Sequence, residues 1–347
     1  MKSVFHILIL ASTLSAIASP AQKLNSRDCA ASDLVSLKAE VQNNFTVPAS
    51  IEAAAQPALA TLVALGGQGG GVGTGFAVRI SQESTSWLSA FHVTGSILDG
   101  DKLLVFLPDV PLMTMNADGA SATVNYDLLV HHTTQVDPGF YSYNRQNRLA
   151  AGKGFDFSQF DDRGINFTSD QRSVVRPLEL RDLDETPLLL NERIYLAGRQ
   201  LGRMRTIACS YIGFDRDAFA KSNAIQIVFT CPEMQVKSNG VVSLGAISGG
   251  PLLDGQAKAF GIFQGYSYPA RDPSRIRFNA TPIFRHSDRT LQPYPDLKSQ
   301  NGRKIRCLPC YSHNSGPDLF LNDPEKGKSS CAITYDESKR KFSFLAR

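Results

Sequence analysis

The feature that most limits the fold is a succession of short apolar runs, rich in β-branched and aromatic residues and broken at short intervals by Gly, Pro, Asn and Asp. They fall at residues 58–65, 75–80, 86–90, 102–107, 122–131, 192–197, 224–230, 259–263 and 277–283. Each is long enough for a strand and too short for a core helix, and no helical patterns alternate with them. The spacing predicts antiparallel sandwiches or barrels and argues against βαβ units. Residues 136–162 read as a long loop between strands. Ahead of the β region, Ser32-Asp33 followed by Leu34, Leu37, Val41 and Phe45 reads as a capped amphipathic helix.

The chain opens like an export signal: Lys2, a mostly apolar run over 4–14, and Ala16-Ile17-Ala18 as a small-x-small cleavage site, with the cut expected after Ala18. The run is too short to span a bilayer, and no other stretch approaches the ~18 apolar residues a membrane helix needs. A secreted or periplasmic protein without a membrane span is expected. In that setting the six cysteines (29, 209, 231, 307, 310 and 331) read as up to three disulfides. Cys209 and Cys231 bracket a hairpin-like stretch and form the favoured pair; the other pairings stay open. Cys307-Leu308-Pro309-Cys310 has no second Cys-x-x-Cys to complete a four-ligand zinc site, so no metal is assigned to it.

Charge excludes a further class. The 347 residues carry a net +4, while residues 298–347 hold ten Lys/Arg against five Asp/Glu. The body is therefore close to neutral and unlike a nucleic-acid-binding surface. The basic tail from about residue 291 reads as a solvated, disulfide-pinned extension ending in a hairpin. The glycine run over 66–75 invites a nucleotide reading, but no Lys-Ser/Thr follows it and the dinucleotide spacing is missed. A connector between two strands is the expected role.

Two fragments carry chemistry. His92 lies in Trp87-Leu88-Ser89-Ala90-Phe91-His92-Val93, at the expected end of a strand, and Ser248 in Ala246-Ile247-Ser248-Gly249-Gly250-Pro251. A serine hydroxyl becomes a useful nucleophile only when a base takes its proton, and histidine is the usual base near neutral pH. The two glycines after Ser248 let another chain segment pass close by, and backbone N–H groups at such a turn can face a developing oxyanion.

Together these segments resemble the chymotrypsin-like serine proteases, in particular the bacterial trypsin-like peptidases related to the HtrA and glutamyl endopeptidase groups. Gly73-Thr74-Gly75-Phe76 is similar to the strand preceding the family's histidine. Ser89-Ala90-Phe91-His92-Val93 resembles the histidine segment, Ile194-Tyr195-Leu196-Ala197-Gly198 a second-barrel strand, Ser248-Gly249-Gly250-Pro251-Leu252 the nucleophile motif, and Gly261-Ile262-Phe263 the groove strand. The resemblance covers about residues 57–290. It implies an all-β fold of two antiparallel six-stranded β-barrels, over 57–176 and 177–290. A signal over 1–18, an N-terminal segment with a short helix over 19–56 and a cysteine-containing extension over 291–347 complete the chain.

By the same resemblance the protein is a serine endopeptidase acting on polypeptides, expected to be a monomer and needing no cofactor. His92 is the base and Ser248 the nucleophile, and the N–H groups of Ala246 and Ser248 form the oxyanion hole. The aspartate that orients the histidine is expected at Asp162, heading Asp162-Arg163-Gly164-Ile165, with Asp127, Asp161 and Asp156 as alternatives. Residues 239–244 carry no acid to bind Lys or Arg side chains. Val242, Gln264 and Tyr266 are the expected substrate-binding residues, pointing to a small or apolar side chain before the cut. The chain departs from the family at Ala246, where glycine is usual, and at Ile247, where Asp or Asn is usual. Alanine takes unusual backbone conformations less readily, and Ile247 has no carboxylate to pair with a new N-terminal ammonium. The departures leave a second reading open, a protease-like binding module with weak or no activity.

Overall fold

The computed structural model describes residues 45–65, 71–82, 85–94, 102–107, 129–131, 158–161, 173–200, 203–215, 225–234, 246–267, 276–286, 289, 291–295, 305–311, 330–336 and 341–346. The expected signal, most of the helix read into 32–45, and Asp127, Asp156, Asp162 and Val242 lie outside these residues. Among the described residues no helix is long and apolar enough to cross a membrane.

A short helix, α1 (Ala49–Ala55), buries Ile51 and Ala55 and leads into the first sheet. That sheet contains β1 (Leu59–Leu65), β2 (Gly71–Arg79), β3 (Thr85–Ser89), β4 (Lys102–Phe106), β5 (Leu129–His131) and β6 (Ser158–Asp161), in the order β5-β4-β1-β2-β3-β6. Every neighbouring pair in it is antiparallel. The second sheet begins with β7 (Arg193–Gln200), β8 (Arg203–Asp215), β9 (Ile227–Thr230), β10 (Pro251–Leu253), β11 (Ala259–Ser267) and β12 (Arg277–Pro282). These run β8-β7-β10-β11-β12-β9, and pairing of β9 back onto β8 closes a six-stranded barrel. The described fold is almost entirely β, a six-stranded antiparallel sheet beside a closed six-stranded barrel. A small ladder of β13 (Phe284–Arg285) and β14 (Leu291–Gln292) follows.

Alternation along the strands explains the packing. Phe229, Phe263 and Phe278 point into the closed barrel, with Phe229 stacked on Phe278 at 5.6 Å between centroids. Val228, one residue away from Phe229, points outward and packs with Ile212 and Leu190. The first sheet contributes Leu59, Phe76, Trp87 and Leu88 to the same continuous core. Cys209 and Cys231 form a disulfide between β8 and the end of β9, across 22 residues of chain. Tyr211, also on β8, is fully buried, and its hydroxyl has no hydrogen-bond partner among the described residues. Burial pushes its phenol well above the usual range; Glu192 adds to the rise and Arg181 opposes it.

The segment between the sheets is bonded to both. Leu178 donates to Ala77 O and accepts from Arg79 N, each at 2.9 Å, while Arg181 N and Ala259 N bond across to Ala259 O and Glu179 O at 2.9 and 2.8 Å. The buried Arg181 guanidinium then fastens this segment to the carbonyls of Thr186 and Pro187 and to the Glu192 carboxylate.

Several local expectations change. Residues 71–75 belong to β2 rather than to a connector, pairing from Ala64↔Gly71 to Ala60↔Gly75. Glycines break isolated strands, but here packing requires them: a Cβ on Gly75 would sit 2.7 Å from a Leu62 methyl. Part of the loop read into 136–162 is strand β6. Part of the tail is β structure joined to the second sheet. Its strands β15 (Ile305–Tyr311), β16 (Ser330–Asp336) and β17 (Lys341–Ala346) form an antiparallel ribbon, and β15 runs parallel to the end of β8 through Cys310↔Phe214 and Tyr311↔Asp215.

Candidate active site

His92 is carried by a single helical turn, α2 (Phe91–Thr94), that follows β3 rather than by the strand itself. The turn is closed by a 3.1 Å bond from Val93 N–H to Ala90 O. His92 is exposed, whereas Val93 is buried against β2. A methyl added at Gly73 would come within 2.5 Å of both Val93 γ-carbons and 2.8 Å of the Ser248 carbonyl. The two turns singled out in the sequence therefore meet on one glycine of the first sheet.

Ser248 sits in the turn formed by residues 246–249, just before β10. The turn is bonded from both sides. Thr74 N–H donates to Ser248 O at 2.8 Å, and Gly249 N–H donates to Phe263 O at 2.7 Å. Phe263 N–H donates to Gly250 O, and Gly250 N–H to Ile247 O, at 2.8 and 2.9 Å. Gly249 has φ +88°, and a Cβ there would lie 2.2 Å from Thr74 O and 2.4 Å from Ser89 Oγ. A Cβ on Gly250 would lie 2.1 Å from Ala197 O. Neither position admits a side chain, which is the physical content of the Ser-Gly-Gly signature.

The two residues before Ser248 have distinct consequences. Ala246 takes φ +69°, a left-handed conformation that costs a non-glycine residue about 1–2 kcal/mol. Strain of this kind inside a functional turn persists only where surrounding contacts impose it. Ile247 is fully buried, its Cγ2 lying 2.7 Å from where Gly198 would carry a Cβ. Apolar packing thus anchors the turn at Ile247.

The Ser248 hydroxyl is half-buried and donates to Gln264 O at 3.3 Å on β11. The Gln264 side chain is turned to Thr281 Oγ1 and accepts from Gln226 Nε2 at 3.0 Å, so this expected binding residue is held in an amide–hydroxyl network. Tyr266, further along β11, is 43% exposed.

The β3–β6 register fixes where the described aspartate of β6 lies relative to the His92 turn. Ser158 lies opposite Ser89 and Asp161 opposite Ser86, so β6 runs away from the His92 turn. At about 3.4 Å per residue, Asp161 is set about 10 Å further along from that turn than Ser158, and Asp162 follows it. Asp156 precedes Ser158 by two residues in the sequence.

Sequence reading missed Thr74. It names the residue within a motif without giving it a role, and the only signal is a polar side chain between two glycines of a strand. Thr74 is fully buried; its Oγ1 donates to Ala246 O at 2.8 Å and accepts from Arg199 N–H at 2.9 Å, and its carbonyl accepts from Ser89 Oγ at 2.8 Å.

No family model and no curated protein matches the chain. Solved structures do. The active form of the Rv3671c protease from M. tuberculosis is similar at 15% identity and a TM-score of 0.41, over 70% of this chain and 86% of that one. Deg5 is similar at 14% identity and a TM-score of 0.41, over 67% and 87%. The HtrA-type protease AlgW with a tripeptide is similar at 15% identity and a TM-score of 0.40, over 67% of this chain and 58% of that one.

Proposed function

We propose that this chain is an exported serine endopeptidase that works through an acyl-enzyme, in a cleft between barrels spanning 57–176 and 177–290. The observation that carries the reading is the meeting of two turns on β2: Ser248, in a turn held from both sheets with a left-handed residue two places before it, and His92, seated beside it through Val93. In the proposed cycle Ser248 Oγ attacks the scissile carbonyl carbon while His92 takes its proton. The N–H groups of Ala246 and Ser248 face the oxyanion. The C–N bond then breaks as His92 passes the proton to the departing amine, and water activated by His92 hydrolyses the ester. Gln264 and Tyr266 on β11, with Val242, line the substrate path. The β6 register supports Asp156 over Asp162 as the group that orients the imidazole.

Labelling with a fluorophosphonate probe tests the reading. Wild-type protein is expected to label and Ser248→Ala to give none. Replacing the orienting aspartate by asparagine is expected to lower turnover about 10⁴-fold, the drop falling on Asp156→Asn and not on Asp162→Asn. Absence of labelling in folded wild-type protein would favour the binding-module reading, which the strained Ala246 supports.

A further inference from the structure

We propose that the Thr74 hydroxyl is a positioning group that holds Ala246 in its left-handed conformation and so sets the direction of the N–H groups at the Ser248 turn. The second half of this statement rests on the endopeptidase reading; the first does not. Thr74 reaches three parts of the site. Its N–H bonds to Ser248 O, its carbonyl accepts from Ser89, which lies three residues before His92, and its hydroxyl is placed between Arg199 N–H and Ala246 O. The hydroxyl is oriented by that sequence of bonds: the β7 amide occupies a lone pair of Oγ1, so the Oγ1 proton is directed to Ala246 O. Because Thr74 is fully buried, water has no access to replace it. A β-branched side chain also has few rotamers, which suits a fixed bond. Alanine at φ +69° is the residue in this turn that most needs such a bond, since glycine would reach the same conformation unaided.

The test is a double-mutant cycle between Thr74→Val, which keeps the shape and removes the hydroxyl, and Ala246→Gly, which removes the strain. Thr74→Ser restores the hydroxyl. Fluorophosphonate labelling rate, kcat and KM are measured together with the urea midpoint read from Trp87, the chain's single tryptophan. In the Ala246 background Thr74→Val should slow labelling about 10²-fold or more, the scale of losing one oxyanion donor. The loss should fall on kcat rather than KM, and Thr74→Ser should recover most of it. In the Ala246→Gly background the same substitution should cost at most about tenfold, because glycine holds either sign of φ. Equal losses in both backgrounds would overturn the proposal.

Should wild-type protein fail to label, the endopeptidase reading falls and the urea midpoints decide alone: a smaller Thr74→Val shift in the Ala246→Gly background supports the proposal, and equal shifts overturn it. Should Thr74→Val fail to fold, recovery of folding by Ala246→Gly supports it, and failure of both overturns it.

Discussion

The two turns that meet at the candidate site are held in unlike ways. The Ser248 turn receives backbone bonds from β2 and β11, has no room for a Cβ at Gly249 or Gly250, and contains a residue in a strained conformation. The His92 turn is one turn of helix, with its histidine exposed and one neighbour, Val93, packed on the sheet. Backbone bonds and close approach fix the Ser248 turn, while the Val93 side chain seats the His92 turn on β2. Substitutions should therefore act steeply on the first and gradually on the second.

The largest effect is expected at Gly249. Gly249→Ala adds left-handed strain of about 1–3 kcal/mol and a steric conflict of similar size, for a loss of about 3 kcal/mol or more in urea unfolding. A loss under about 1 kcal/mol would show that the serine turn can yield after all. Val93→Ala is expected to cost about 1–2 kcal/mol, from two buried methyls and a partly collapsed cavity. It should slow labelling of Ser248 through the histidine while leaving the serine turn's protection against hydrogen exchange intact. The smallest effect at neutral pH is expected for Tyr211→Phe, which deletes an unpartnered buried hydroxyl on the closed barrel. Its signature lies in alkali. The folded phenol titrates above its unfolded value, so its contribution is fully present below about pH 10 and is lost as pH rises beyond that, by up to about 1.4 kcal/mol per pH unit. The phenylalanine variant should lack this loss in urea midpoints measured from pH 9 to 11.

Much of the fold is legible in the sequence because a strand's pattern is local. Runs such as Leu59–Leu65 and Lys102–Phe106 need only their own residues to be recognised. Strand β8 is hidden because Arg203, Arg205, Thr206 and Ser210 interrupt its apolar residues, and burial there is supplied by neighbours distant in sequence. The first part of the Gly71–Arg79 strand is hidden for the opposite reason: its glycines read as a connector until Leu62, Val93 and Ser248 are seen to fill the space beside them. The site divides likewise. Ser248 with its two glycines is a signature that survives without coordinates. Thr74 is a single hydroxyl whose partners lie 125 and 172 residues away, and no one-dimensional pattern announces it. The direction in which β6 runs against β3 is likewise a property of the pairing, which the residues of β6 alone do not reveal.

The parallel seat of β15 has a consequence for the overhanging end of β8. Ser210 pairs with Arg193 on one side and Thr230 on the other, and Phe214 pairs with Ile227 and Cys310, so β15 occupies the same side of β8 as β7, beyond the last β7 pair. A strand that outruns its neighbour leaves open donors and acceptors, which invite pairing between molecules. Here β15 takes that place, so Phe214 and Asp215 meet a strand of the same chain and the overhang of β8 is covered from within.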